Sequence, residues 1–309
     1  MQGDYGRHRS VGDTKVEALV PCSDMCGTIV DANGSSTWRQ GQRVVSTFIQ
    51  AHLSGLIKEH HMSSGLGLPL LGVLTEFRCF PENGLIVVPD YLTNEEACCL
   101  PIACLTAWMA INWMQPIGQP MSSTTNNRMS VLLQGTGGVS VAGLQIAHAA
   151  GFETIITSSS DEKLEKAKKL GADHGINYKS NPEWQDEVNR LTGKKGVDII
   201  FETGGAGTLS KSFECIAFSG LISCIGYLGG KEDAPGDRVN TNLLALRRGV
   251  TLKGLLVGPK DRFEEMVAFY SKHKIRPVVD REFKFEEAKE GLQYLHSGGH
   301  FGKVVVRIV

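Results

Sequence analysis

The sequence lacks the marks of several large protein classes. No apolar run among its 309 residues is long enough to span a bilayer, and no signal peptide opens it. Neither sign of charge is in excess, because 32 Lys and Arg face 33 Asp and Glu, so nothing electrostatic favours nucleic acid or an anionic membrane. The eight cysteines include no Cys-x-x-Cys pair, and cysteines without a secretory signal indicate a reducing compartment. We therefore expect a cytoplasmic protein that acts on a small molecule, with no nucleic acid or membrane partner.

A glycine-rich turn between an apolar strand and an apolar helix is the most informative segment. Residues 129–133 predict a buried strand, and residues 142–150 place apolar side chains at helical spacing up to Gly151. A turn in this setting is typical of dinucleotide-binding units, where the backbone approaches a pyrophosphate at a helix N-terminus. The predicted cofactor-binding residues of this turn are Gly135, Gly137, Gly138 and Val139.

Ser140 stands where a third spaced glycine is usual. Its hydroxyl would bind a phosphate or cap the helix, and a solvated N-cap is the plainer alternative. No Gly-Lys-Ser/Thr ends the turn, which argues against a phosphate loop of the NTPase kind.

The second predicted strand, 153–157, indicates which nicotinamide cofactor is used. Enzymes that choose NAD normally carry an acidic residue at the tip of this strand, for the ribose 2′-hydroxyl. Here the tip is Ser158, and the acids appear only at Asp161 and Glu162, where the dipole of the next helix explains them. Lys163 follows, so the tip suits a 2′-phosphate. The sequence therefore favours NADP(H) over NAD(H).

Strands and helices alternate through residue 258. We predict strands at 197–202, 220–225 and 251–258, with a helix at 209–217 between the first two. This alternation predicts a doubly wound parallel sheet whose ligand lies at the carboxyl ends of the strands. Glycines stand at those ends, at Gly204, Gly205, Gly226 and Gly258.

From Pro21 onward the chain resembles the medium-chain dehydrogenase/reductase superfamily, in its zinc-alcohol-dehydrogenase-like and quinone-oxidoreductase-like branch. Besides the glycine turn, the matching segments are 21–27, 41–45, 100–108, 170–173 and 300–305. The resemblance implies an α/β protein with a Rossmann doubly wound parallel sheet and a chaperonin-10-like, β-rich catalytic domain. The implied domains are catalytic at 1–100, Rossmann at 101–258 and a C-terminal return to the catalytic domain at 259–309.

Positions in the family's motifs imply further cofactor-binding residues. Some are expected near the nicotinamide, the adenosine or the ribose with its 2′-phosphate, and others at the ends of the strands. They are Thr106, Ser158, Lys163, Tyr178, Gly204, Gly226, Tyr227, Val257, Gly258 and Lys303.

The sequence departs from the family's zinc enzymes. Where those enzymes offer a histidine and a glutamate, it has Ser23 and Asp24, and the later cysteine position is Ala103, with Cys104 one residue along. A catalytic zinc needs three protein ligands, so we predict no metal. His52, His60 and His61 are explained more simply by a solvated loop or short helix, and residues 69–77 are expected to resume a strand pattern.

Compared with the family, the catalytic domain is expected to lack its opening strands. Residues 1–7 resemble the stretch just after the family's segment that reaches the nicotinamide. Unpaired strand edges need cover, and the strand near 252–257 is expected at a sheet edge, so we predict a homodimer.

These features predict a zinc-independent, NADPH-dependent oxidoreductase that transfers hydride to an activated double bond or carbonyl of an enone or quinone. No catalytic residue is assigned, although Ser23 and Asp24 are candidate proton donors by position. The alternative is a non-redox protein on the same scaffold, such as a pseudoenzyme, a partner subunit or a cyclase. A zinc alcohol dehydrogenase ranks third. Substrate identity is not predicted.

Overall fold

The computed structural model describes residues 19–123, 128–232 and 239–309. The chain forms two compact units, one of residues up to Leu105 with Val257–Val309, the other of Thr106–Leu256. Residues 1–7, on which the prediction of a shortened domain depends, lie outside the described part, as do residues 124–127 of the polar segment before the Rossmann strands.

In chain order, the helices and strands of the described residues are β1 Cys26–Thr28, β2 Arg43–Ser46, β3 Leu85–Val87, α1 Asn94–Ala97, α2 Leu105–Asn112, β4 Ser130–Leu133, α3 Gly138–Ala149, β5 Glu153–Ser158, α4 Asp161–Lys169, β6 His174–Asn177, α5 Trp184–Leu191, β7 Val197–Glu202, α6 Ala206–Cys215, β8 Ile216–Cys224, α7 Thr241–Arg248, β9 Thr251–Gly254, α8 Lys260–His273, β10 Val279–Lys284, α9 Ala288–Ser297 and β11 Lys303–Arg307. Short 3-10 segments cover Glu59–Ser64, Glu82–Gly84 and Phe285–Glu287, and a π-helical turn at Leu100–Cys104 precedes α2.

The first unit contains two small sheets. Strands β1, β2 and β3 pair antiparallel in that order, and β10 pairs with β11 in parallel. Trp38, Val44 and Leu85 form a buried cluster beside the first sheet, and the indole of Trp38 donates to the carbonyl of Glu82 at 2.9 Å. The tyrosine hydroxyl of Tyr91 donates to carbonyls at the end of α8, which ties the C-terminal segment to this unit.

The second unit is a six-stranded parallel sheet with the strand order β6-β5-β4-β7-β8-β9. Every residue of β4 is buried, and β7 is buried except at one position, because helices cover both faces of a parallel sheet. The order reverses between β4 and β7, and in doubly wound sheets ligands bind at the carboxyl side of this reversal. The fold predicted from the sequence is confirmed.

Close backbone packing holds the first helix of this sheet. A Cβ on Gly143 of α3 would lie 2.5 Å from the ring of Phe201 and 2.8 Å from the side chain of Leu133. Both neighbours are fully buried, so a glycine is needed where the helix crosses β4 and β7.

Four sequence predictions of secondary structure were wrong in part. The strand predicted at 220–225 spans Ile216–Cys224. Residues 69–77 form no strand, because Gly72 packs so tightly that a Cβ would lie 2.1 Å from the carbonyl oxygen of Pro21, and the N–H groups there donate to that loop instead. The last strand stops at Gly254 rather than at residue 258, and Val257 has a φ of 59° that extended backbone does not allow. The helix predicted at 209–217 starts at Ala206 and ends at Cys215, since Ile216 already belongs to β8.

No helix within the described ranges combines the length and apolar character needed to cross a bilayer.

Candidate functional site

The glycine turn joins β4 to α3 at the carboxyl edge of the sheet. Gly135 has a φ of 76°, a conformation that glycine adopts without strain, and its N–H donates to the hydroxyl of Thr157 on β5 at 3.1 Å. A Cβ on Gly135 or on Gly137 would meet no atom within 4 Å, so both positions face open space. Gly137 is the N-cap of α3 and no side chain caps it. The turn is therefore an open cradle in front of a helix N-terminus.

The first N–H groups of α3 have no acceptor within the helix. They belong to the predicted residues Gly137, Gly138 and Val139, followed by Ser140. An anion at this end of the helix would accept from these groups and would be favoured by the helix dipole. The turn fits the pyrophosphate of a dinucleotide.

Ser140 has a different role from both alternatives that its position suggested. Its side chain is 2 % exposed, and its hydroxyl donates to the carbonyl of Gln134 at 2.7 Å. It neither caps the helix nor points its hydroxyl into the open cradle. The glycine that allows close packing of helix on strand is Gly143, one helical turn further along.

A buried polar network that the sequence analysis missed supports the turn. Glu202, the last residue of β7, is 1 % exposed, and its carboxylate accepts from the side-chain amide of Gln134 at 2.8 Å. The backbone N–H groups of Gly204 and Gly205 donate to it at 3.0 Å each, and the hydroxyls of Thr208 and Ser212 donate as well. A carboxylate buried this deeply is stable only when such donors satisfy it.

Gln134 extends this network to the loop after β7. Its side-chain oxygen accepts from the N–H of Thr203 at 3.0 Å, and its backbone carbonyl accepts from the Thr203 hydroxyl at 3.0 Å. The glycine turn and the loop that contains the predicted Gly204 are thus fixed to each other. The only sequence signal was a glutamate directly after the apolar residues 199–201.

The predicted Gly226 and Tyr227 lie in the loop after β8, packed on the loop after β7. The N–H of Leu228 donates to the carbonyl of Thr203 at 3.0 Å, and a Cβ on Gly205 would lie 2.7 Å from that of Tyr227. Glycines at these strand ends therefore serve loop-to-loop contact as well as any ligand. Thr106, in the first turn of α2, is 4 % exposed.

The tip of β5 carries hydroxyl groups. Ser158 is 2 % exposed, its hydroxyl accepts from the N–H of Ser160 at 3.3 Å, and its carbonyl accepts from the N–H of Tyr178 at 3.0 Å. Ser160 is the N-cap of α4 and accepts from the N–H of Lys163. Ser158 holds the shape of the tip, while Lys163 is half-buried beside it and Tyr178 is exposed.

The acidic side chains near this tip are engaged by neighbours. One carboxylate oxygen of Asp161 accepts from the side-chain amide of Asn177 at 2.8 Å, and Glu162 pairs with Lys166 at 2.9 Å. These contacts occupy the two carboxylates along α4 and the end of β6.

In the first unit, Lys303 at the start of β11 pairs with Asp24. The ammonium and carboxylate lie 3.3 Å apart, with 28 % and 14 % of the two side chains exposed. Burial opposes the charge of the Lys303 ammonium, but the attraction of Asp24 outweighs it and, with Cys99 and Cys98, raises the pKa of this lysine above its ordinary value. Lys303 is therefore a fixed positive charge at every physiological pH.

Val257 and Gly258 begin the C-terminal part of this unit. A branched residue with a φ of 59° is a backbone outlier, and such strain is concentrated at functional sites. Gly258 is buried beside it.

The side chains at the family's zinc positions do not fit a zinc ion. Asp24 is paired with Lys303, and Cys104 is 2 % exposed with its thiol donating to the carbonyl of Cys99 at 3.4 Å. Burial raises the pKa of Cys104 to about 12, which disfavours the thiolate that zinc requires. Across the described part of the chain, no three His, Cys, Asp or Glu side chains are grouped to hold a metal.

His60 and His61 lie in the short 3-10 segment Glu59–Ser64 and His52 lies in the loop before it, but His52 and His61 are buried rather than solvated. His52 stacks on His61 with ring centroids 4.8 Å apart, and His60 lies edge-on to His61 at 4.2 Å. His61 accepts from the N–H of Lys58 and ends the first turn of the segment.

Comparison with known proteins agrees with this architecture. Residues 1–90 match the family model of the alcohol dehydrogenase GroES-like domain, and residues 138–272 match that of the zinc-binding dehydrogenases. A zinc-type alcohol dehydrogenase-like protein of Schizosaccharomyces pombe is 38 % identical over 294 residues, which cover 94 % of this chain and 82 % of the relative.

Two further relatives differ in their described activity. The quinone oxidoreductase of Rattus norvegicus is 26 % identical, over 93 % of this chain and 79 % of its own. The crystal structure of an NAD-dependent alcohol dehydrogenase superposes with a TM-score of 0.80 at 28 % identity, over 94 % of this chain and 83 % of its own. The family uses nicotinamide cofactors, and the glycine turn described above fits one. The chain belongs to the medium-chain dehydrogenase/reductase superfamily, in its zinc-alcohol-dehydrogenase-like and quinone-oxidoreductase-like branch, and is an oxidoreductase.

Proposed function

We propose that this protein is a zinc-independent, NADPH-dependent reductase of activated double bonds or carbonyls, as in enones and quinones. The observation that carries the proposal is the open cradle at Gly135 and Gly137, in front of a helix N-terminus that no side chain caps. Backbone N–H groups aimed at an open space favour the pyrophosphate of a dinucleotide.

NADPH is proposed over NADH because of the groups around the tip of β5. Ser158 replaces the carboxylate that would hold a free ribose hydroxyl, and Lys163 supplies a positive charge in the first turn of α4. The nearest acids, Asp161 and Glu162, are held by Asn177 and Lys166. A charge-assisted hydrogen bond to the 2′-phosphate contributes about 1.5–3 kcal/mol, so we expect NADPH to bind roughly 10- to 100-fold more tightly than NADH.

The bound nicotinamide would supply the hydride, and the protein would orient the cofactor and the acceptor. We propose that Gly137, Gly138 and Val139 hold the pyrophosphate, with Lys163 and Tyr178 on the adenosine side. Thr106, Gly204, Gly226, Tyr227, Val257, Gly258 and Lys303 are the remaining proposed cofactor-binding residues.

No zinc step is proposed, since the side chains at the zinc positions are engaged elsewhere. Lys303 remains charged through neutral pH, so its ammonium is suited to binding negative charge rather than to releasing a proton.

We also propose that the protein is a cytoplasmic homodimer. Strand β9 is an edge of the six-stranded sheet, and Leu252 and Leu256 on and after it are 37 % and 52 % exposed. Sedimentation velocity tests the assembly. A monomer at micromolar concentration would contradict it.

The function is tested by titrating the purified protein with NADPH and NADH, following nicotinamide fluorescence and thermal stability, and then by turnover of enones and quinones. Tighter binding of NADPH with turnover of either acceptor class supports the proposal. Binding of neither nucleotide contradicts it, and preference for NADH contradicts the assignment of the cofactor alone. Exchange of Lys163 for Met should remove the preference for NADPH. The matched control is Lys166→Met, a lysine of the same helix that pairs with Glu162.

A further inference from the structure

Glu202 is a buried carboxyl group whose oxygens accept hydrogen bonds from uncharged donors at the end of β7. Its carboxylate receives hydrogen bonds from two backbone N–H groups, two hydroxyls and one side-chain amide. The backbone donors, Gly204 and Gly205, immediately precede α6. The carboxylate thus accepts from the N-cap N–H at the start of α6, the end at which the helix dipole favours an anion.

The same carboxylate determines the position of the glycine turn. It fixes Gln134, whose side-chain oxygen accepts from Thr203 and Gly204 and whose backbone carbonyl accepts from Thr203 and Ser140. Gln134 is bonded directly to Gly135. A displacement of Glu202 would therefore move Gln134, and Gln134 contacts both the cradle and the loop after β7.

We propose that Glu202 is a positioning residue for the nucleotide, which closes the N-terminus of α6 to phosphate and holds the cradle at α3 in its binding geometry. This inference rests on the proposed function, because it requires that the cradle bind a dinucleotide. The residue touches neither the reacting atoms nor the substrate, so its effect is on the affinity and placement of the cofactor.

The test compares Glu202→Gln with Asp198→Asn. Both residues belong to β7, and the carboxylate of each accepts hydrogen bonds from the segment of β4. Asp198 lies at the other end of β7 from Glu202, and it accepts from the N–H and the hydroxyl of Ser130 at 2.8 Å and 3.0 Å. The amide that Glu202→Gln introduces has an acceptor oxygen on one side alone. Its NH2 group would face either the backbone N–H groups of Gly204 and Gly205 or the side-chain NH2 of Gln134, and none of these groups can accept a hydrogen bond. Both variants should lower the unfolding midpoint, whereas only Glu202→Gln should raise the Kd for NADPH, by about tenfold or more.

A fragment of the cofactor separates positioning from general loosening. 2′-AMP carries the adenosine and 2′-phosphate but no pyrophosphate, so its Kd should stay within about twofold of wild type in Glu202→Gln. If Glu202→Gln gives too little folded protein, Thr208→Val removes one donor from the same carboxylate, and a loss of about threefold in NADPH affinity is expected.

Equal NADPH affinity in Glu202→Gln and Asp198→Asn overturns the inference, as does an equal loss for NADPH and 2′-AMP. If Thr208→Val is the variant measured, wild-type affinity for NADPH overturns it. Failure of the proposed function has a different signature, since the wild-type protein would then bind neither NADPH nor NADH.

Discussion

Two glycines of the same helix, Gly137 and Gly143, are expected to respond in opposite ways to replacement by alanine. The N-cap Gly137 has a φ of −78°, which alanine adopts freely, and its added Cβ would meet no atom within 4 Å. In Gly137→Ala the free energy of unfolding should fall by only about 0.5–1 kcal/mol, the difference between a good and a poor N-cap residue. The new methyl group would occupy the open space where the phosphates are proposed to bind.

In the Gly137→Ala variant, nucleotide binding should be lost selectively. A Cβ that keeps the pyrophosphate from two N–H groups removes two charge-assisted hydrogen bonds, each contributing about 1.5–3 kcal/mol, so NADPH affinity should fall by roughly 100-fold or more.

Gly143→Ala is the control with the reverse profile. Helix propensity alone would favour alanine by about 1 kcal/mol. The Cβ would, however, lie 2.5 Å from the ring of Phe201 and 2.8 Å from Leu133, both fully buried side chains, and overpacking of this kind costs about 1–3 kcal/mol or more. Overpacking should win, so Gly143→Ala should be destabilised by about 1–2 kcal/mol, with NADPH affinity changed by less than Gly137→Ala changes it.

Urea unfolding and NADPH titration of both variants measure the two effects separately. Gly137→Ala with wild-type affinity would refute the assignment of the cradle to the pyrophosphate. A Gly143→Ala variant as stable as wild type would refute the packing analysis of α3.

Three further predictions test other parts of the site. Lys163→Met should lower NADPH affinity by roughly 10- to 100-fold and leave NADH affinity within about twofold, and an equal loss for both would contradict the assignment of the 2′-phosphate. Asp24→Asn should lower the free energy of unfolding at pH 7 by about 1–3 kcal/mol. Because the pKa of Lys303 is raised in the folded state, the lysine's share of this contribution is present below the ordinary lysine pKa and is lost as pH rises through the raised value. Above neutral pH, the urea stabilities of the two proteins should therefore converge only when the solution is strongly alkaline. Val257→Gly should be about 1 kcal/mol more stable than Val257→Ala, because alanine retains the cost of a φ of 59°, and equal stabilities would show that the backbone there is unstrained.

Local patterns were sufficient to predict the order of the Rossmann elements. The strand at 197–202 matches its predicted bounds because its apolar residues are followed directly by Thr203-Gly204, which marks where the strand ends. The glycine turn was found from sequence because its strand, turn and helix are consecutive. Where tertiary packing decides a boundary, as at Ala206 and Gly254, the predicted bounds were wrong by three or four residues.

The polar contacts behind the turn could not be predicted in the same way. Gln134 and Glu202 are 68 residues apart in sequence, and Asp24 and Lys303 are 279 apart, so no local periodicity reveals either pair. The role of Ser140 was mistaken for a related reason. Its position in the turn predicted a phosphate contact or a helix cap, whereas its hydroxyl donates to the carbonyl of Gln134.

The most direct test of the proposed function is hydride transfer itself, followed in a single turnover with NADPH deuterated at the hydride-donating carbon and a cyclic enone or a quinone as acceptor. The proposal predicts that the deuterium appears on the reduced enone carbon, or that the quinone oxidises the labelled cofactor with a primary isotope effect, in protein treated with a zinc chelator as well as in untreated protein. Binding of NADPH without any oxidation across both acceptor classes would contradict a reductase, and activity that disappears with the chelator and returns with zinc would contradict the zinc-independent chemistry.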